Sequence, residues 1–98
     1  MGPPEPQTIA FAICGPLART DLAGLCDRAC AVLASCGAAV ALCDVSAASA
    51  DAVTVEALAR LQLAARRHGC EARLCAASTE LLQLVDFMGL REVLPRER

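Results

Sequence analysis

The 98-residue chain is predicted to form one α/β domain: a mostly parallel sheet of about four strands, three main helices and a short C-terminal element. Three observations carry this. Stretches with the alternating or continuous apolar pattern of strands are interleaved with stretches of helical period, which is how a sheet built through helical crossovers reads. Each expected helix has a capping residue before it and a glycine or basic turn after it. The length suits a single core, near the size at which one domain holds without staples. Residues 8–95 are assigned to it, 1–7 to a flexible lead-in and 96–98 to a charged tail.

The elements follow in order. "MGPPEPQ" carries three prolines and no periodicity, hence the lead-in. "TIAFAIC" alternates Ile9, Phe11 and Ile13 with Thr8, Ala10, Ala12 and Cys14, the period of a strand, which Gly15 and Pro16 end. "RTDLAGLCDRACAVLASCG" reads as a helix with Thr20 as N-cap and Gly37 as stop; Leu22, Leu25, Cys26, Ala29, Val32 and Leu33 share its inner face, with Cys30 at the flank. "AAVALC" is a continuous apolar run, expected for a strand covered on both faces. Residues 54–68 form the second helix, with Val55, Leu58, Leu61 and Ala65 inward and Glu56 placed to pair with Arg60 at i,i+4. "EARLCAA" is a further strand, and Ser78 caps a third helix over 79–88 that buries Leu81, Leu84, Val85 and Met88 before Gly89 ends it. "LREVLPRER" is left as a turn of helix or a small edge strand.

Composition removes several classes of function. The net charge of -2 and the absence of lysine argue against nucleic acid as the main partner, because phosphate binding needs clustered cations. Arg66 and Arg67 sit together, but at a helix end, where cations favour the dipole. No apolar run approaches the roughly 18 residues of a membrane helix, and the first residues lack the basic and apolar regions of a signal peptide. A cytoplasmic protein is expected, and the richness in Ala, Arg, Gly and Pro suits a GC-rich bacterial genome. Seven cysteines form no C-x-x-C pair and there is a single histidine, His68, so neither a metal site nor a disulfide frame is expected. Most of them read as small buried hydrophobes; no cofactor is implied.

The candidate site is "CDVSAASADAVTVEAL", residues 43–58. In open α/β sheets, binding surfaces form beyond the carboxyl ends of the strands, where loops and helix N-termini converge. Asp44 closes a strand, and residues 45–53 occupy that place by topology. If Asp51 or a neighbour caps the second helix, its backbone donors face the same patch. A plain polar connection with a helix cap accounts for the pattern equally well.

In their order, four stretches resemble the STAS domain, the fold of bacterial anti-sigma factor antagonists and of the cytoplasmic tails of sulfate transporters: "GPLARTDLAGL", "ALCDVSAASADA", "LARLQLAARRHGCEARLCAAS" and "LLQLVDFMGLREVLP". The likeness runs over about residues 8–95. It implies a non-enzymatic protein–protein interaction module in which Asp44, Ser46, Ser49, Asp51, Ala52, Val53 and Thr54, with the following helix, dock a partner. The implied partner is an anti-sigma factor or other regulatory protein, or alternatively the subunits of a lipid ABC transport system; a homodimer is a further option. The chain also departs from the family. In phosphorylatable members two hydroxyl residues and a glycine follow the second Asp, whereas here Ala52, Val53 and Thr54 follow Asp51, and Ala18 stands where many members carry an acidic residue. The phosphoacceptor positions, Ala52 and Val53, are therefore substituted, and Thr54 is the remaining substitute phosphosite.

Two other classes compete. A thiol enzyme is suggested by the cysteine count, but Cys43 is the only thiol near the site and its neighbour is Asp44 rather than a base that would activate it. A small-ligand sensor of nucleotides or lipids lacks a glycine-rich phosphate loop.

Overall fold

A computed structural model describes residues 8–37 and 39–97; the expected lead-in over 1–7 lies outside them. The described chain is α/β with a three-stranded sheet, all parallel, in the order β1-β2-β3: β1 (Thr8–Ala12), β2 (Val40–Asp44) and β3 (Glu71–Cys75). The helices are α1 (Leu22–Cys36), α2 (Ala52–Arg67) and α3 (Thr79–Phe87). The sheet thus has three strands rather than about four. What stands in the fourth position is a single bridge, Leu74 to Arg96, where the tail runs parallel to β3: Leu74 donates to the Pro95 carbonyl at 2.8 Å and Glu97 donates to the Leu74 carbonyl at 2.7 Å. Pro95 has no N–H to extend that ladder.

Strand order decides which faces are covered. β1, β2 and β3 advance across the sheet in one direction, and right-handed crossovers that advance one way set their helices on the same side. Burial agrees. Ala41, Cys43, Ala72 and Leu74 are buried with Leu33, Val55, Leu58, Leu61 and Leu81 in the core. The alternate residues Val40, Leu42, Asp44, Glu71, Arg73 and Cys75 are only half-buried, and Thr8, Ala10 and Ala12 are exposed. The expectation that residues 38–43 form a strand covered on both faces is therefore corrected: one face packs on helices and the other is open.

α2 is the central helix. Asp51 caps it, accepting from the Thr54 N–H at 2.8 Å, and Val55, Leu58, Leu61 and Ala65 are buried as their spacing requires. Glu56 and Arg60 pair at 3.2 Å, and Leu63 is exposed. Ser78 caps α3 through the Leu81 N–H at 3.1 Å. Two expected features differ. Thr20 is not the cap of α1, because a short 3-10 turn, Arg19–Asp21, precedes the helix and the Asp21 carboxylate turns back to the Ala18 N–H at 2.9 Å. Val32 and Met88 lie at the margins of their inner faces and are 40% and 39% exposed, while Leu25, Cys26 and Leu84 are half-buried.

Candidate functional site

The loop after β2 and the loop after β1 form one rim at the carboxyl end of the sheet. Three backbone bonds carry the sheet's pairing past the strand ends: Ile13 donates to the Asp44 carbonyl at 2.9 Å, Gly15 to Ala47 at 3.1 Å and Val45 to Cys75 at 3.1 Å. Gly15 is required where the loops meet. A Cβ there would lie 2.8 Å from the Ser49 backbone nitrogen, a contact that backbone cannot relieve without moving.

Each predicted residue takes a definite place on this rim. Asp44 folds the loop back on itself by accepting from the Ser46 N–H at 3.0 Å, an Asx turn. That bond, and then the Ser46 hydroxyl, hold the Asp44 carboxyl below the usual carboxylate range. Ser46 and Ala52 are exposed; Ser49, Asp51 and Val53 are half-buried. Thr54 is different. It is fully buried, and its hydroxyl has no hydrogen-bond partner among the described residues. A kinase reaches only an exposed hydroxyl, which Thr54 does not offer in this conformation, whereas Ser46 is exposed and Ser49 half-buried.

Two features of the rim carry no sequence signal of their own. Arg19, in the turn before α1, pairs with Glu56, which also holds Arg60, so the first loop is tied across to α2. Ala76, just beyond β3 at the same end, has φ 56°, a left-handed conformation that costs an alanine about 1 kcal/mol or more.

The expectation of small buried hydrophobes holds for two of the described thiols, Cys43 and Cys70; Cys26, Cys30 and Cys75 are half-buried and Cys14 is exposed. Burial pushes the Cys43 thiol from its ordinary 9.0 up to about 11, with Cys75 and Cys70 adding to the effect. Cys75 is also raised, by desolvation first and then by Asp44 and Glu97. Among the described residues no three His, Cys, Asp or Glu side chains cluster as a metal site requires. No helix is long and apolar enough to cross a membrane.

The sheet order matters for what this end of the molecule can bind. In a doubly wound sheet a crevice opens where the strand order reverses, and here it never reverses. Strand order therefore supplies no switch-point crevice at residues 44–54, which the bonds above brace into a rim. A cleft of about 670 Å³ lies elsewhere, between α3 and the tail, lined by Thr79, Gln83, Asp86, Arg91, Arg96 and Glu97 among others. Compared with known proteins, the chain matches no protein-family model and no curated sequence.

Proposed function

We propose that the chain is a non-enzymatic protein docking module of bacterial regulation, a divergent member of the STAS type that binds an anti-sigma factor or a related regulatory protein through residues 44–54 and α2. The observation that carries the reading is the braced rim at the carboxyl end of a sheet whose order has no switch point. Such a surface suits a protein partner better than a small molecule, which is held in concave sites. The chemistry points the same way: the buried Cys43 thiol stays protonated at neutral pH, raised by burial and by its neighbours Cys75 and Cys70 rather than activated. With Ala52 and Val53 at the family's phosphoacceptor positions and Thr54 buried, docking proceeds without phosphate control at that place.

The test is capture of the partner from a bacterial lysate on the wild-type chain and on Ala52→Arg, identified by mass spectrometry. Ala52 is exposed at the first position of α2, so an arginine there blocks docking while leaving the fold intact. Glu92→Arg, exposed in the tail and away from the rim, serves as control and retains the partner. Equal capture by all three chains removes the assigned surface. A transporter ATPase as the captured protein, in place of a sigma-factor regulator, selects the transport alternative.

A second reading, a small-ligand sensor, is favoured by the cleft beside α3. It predicts a raised melting temperature with nucleotides or acyl lipids.

A further inference from the structure

The two edges of the sheet are treated differently. On the outer edge of β3, every outward backbone group of Ala72 and Leu74 has a partner. Gln62 Oε1 accepts from the Ala72 N–H at 2.8 Å and its Nε2 donates to the Ala72 carbonyl at 2.9 Å, while the tail takes Leu74 on both sides. A glutamine side chain and three residues of tail thus close that edge. On the outer edge of β1 no described residue does the same.

The free groups can be assigned. Ile13 and Gly15 donate toward the β2 side, and in a parallel strand both backbone groups of a residue point the same way, alternating along the chain. Ile9, Phe11 and Ile13 therefore bond inward, and Thr8, Ala10, Ala12 and Cys14 turn their N–H and C=O groups outward. Residues 8–14 contain no charge, no proline and no lysine, the devices that protect an edge strand. The preceding residues are poorly suited to pairing with it: Pro3, Pro4 and Pro6 have no N–H to offer a ladder.

We propose that two copies of this chain join along β1, antiparallel about a two-fold axis at Phe11, forming one six-stranded sheet. The strand is self-complementary in this register. Ala10 faces Ala12 of the second copy and Thr8 faces its Cys14, so all four outward residues meet outward residues in hydrogen-bonded pairs. A register centred on Ala10 instead sets Cys14 against Pro6, which cannot donate. On the helix side Phe11 meets its own symmetry mate, and the half-buried Ile9 and Phe11 lose their remaining exposure. No like charges oppose each other anywhere along the pairing. The open face then runs unbroken through both copies, and the rims at residues 44–54 stay outside the contact.

The experiment is sedimentation equilibrium of the full chain with two variants. Ala10→Pro removes an outward donor without touching the β1–β2 ladder; Ala12→Lys puts an exposed charge beside the axis. The wild type is expected as a dimer at about 100 µM, with each variant weakening association at least about tenfold and keeping its circular dichroism. Register is read with Thr8→Cys, which meets Cys14 of the second copy at about 5.5 Å between Cα atoms, inside the range a disulfide spans. Under oxidised glutathione this variant gives a covalent dimer that Thr8→Cys/Cys14→Ser does not. A monomeric wild type overturns the proposal, as does dimerisation unaffected by both Ala10→Pro and Ala12→Lys. A monomer that dimerises when residues 2–7 are removed also overturns it, by showing that the lead-in covers the edge. Partner capture by Ala52→Arg is a separate readout, so failure here leaves the docking surface untouched.

Discussion

Gln62 is bonded to Ala72 as one strand is bonded to the next: its side-chain amide accepts from the Ala72 N–H and donates to the Ala72 carbonyl, and the same Nε2 reaches the Val93 carbonyl at 2.8 Å. One buried side chain on α2 thereby fixes the edge of β3 and the start of the tail. Buried donors and acceptors that lose a partner cost about 1–3 kcal/mol each.

Gln62→Leu is accordingly expected to lower stability by about 3 kcal/mol or more, since it orphans the Ala72 N–H and two carbonyls at near-constant volume. Urea titration would show a lower midpoint with an unchanged slope. A loss below about 1 kcal/mol would mean that these groups find water instead.

Thr54 offers the opposite case. Its buried hydroxyl has no partner among the described residues, so Thr54→Val removes an uncompensated polar group at equal size and is expected to stabilise by about 1 kcal/mol. Thr54→Glu, a mimic of the phosphorylated residue, places a charge in the core and should unfold the α2 N-terminus. A tolerated Thr54→Glu, seen as an unchanged thermal midpoint, would show that the loop opens readily and restore Thr54 as a modification site.

Two glycines separate space from entropy. Gly15→Ala drives a methyl into the Ser49 backbone and is expected to cost about 1–3 kcal/mol. Gly24→Ala, within α1, meets only the mobile tip of Arg28 at 3.3 Å and should gain about 0.5–1 kcal/mol from helix propensity. Thermal denaturation of the pair would show midpoints moving in opposite directions.

The Cys43 thiol makes stability depend on alkaline pH. Its pKa is raised on folding from 9.0 to about 11, so the unfolded chain ionises first. The contribution is complete below pH 9, fades between 9 and 11, and reaches about 2–3 kcal/mol in all. Chemical denaturation at several pH values should show the wild type losing stability across that window more steeply than Cys43→Ala. Parallel slopes would place the effect on other groups.

Local patterns were the legible part of this fold. Val55, Leu58, Leu61 and Ala65 announce the buried face of α2 by spacing alone, and Ser78 announces a cap because a short polar residue stands just before a periodic run, while Asp51 is one of several candidates until the helix is seen to begin at Ala52. The loop of residues 44–54 was legible as a place, since strand ends before helices define it. What stayed hidden depends on relations between distant segments. Gln62 looks like a surface residue until β3 is brought beside it, and Thr54 like an accessible hydroxyl until the loop closes over it. The open face of β2 follows from strand order, which no stretch of residues encodes by itself.

The bracing of the rim has a kinetic consequence. Asp44 to Ser46, Gly15 to Ala47, Asp51 to Thr54 and Arg19 to Glu56 brace the surface proposed for docking. If the proposal holds, docking there requires no loop ordering, and encounters are expected to convert to complexes at the rate set by diffusion and orientation, about 10⁵–10⁷ M⁻¹s⁻¹. Lifetime becomes the adjustable quantity, so substitutions on this rim should register mainly in how long a complex lasts.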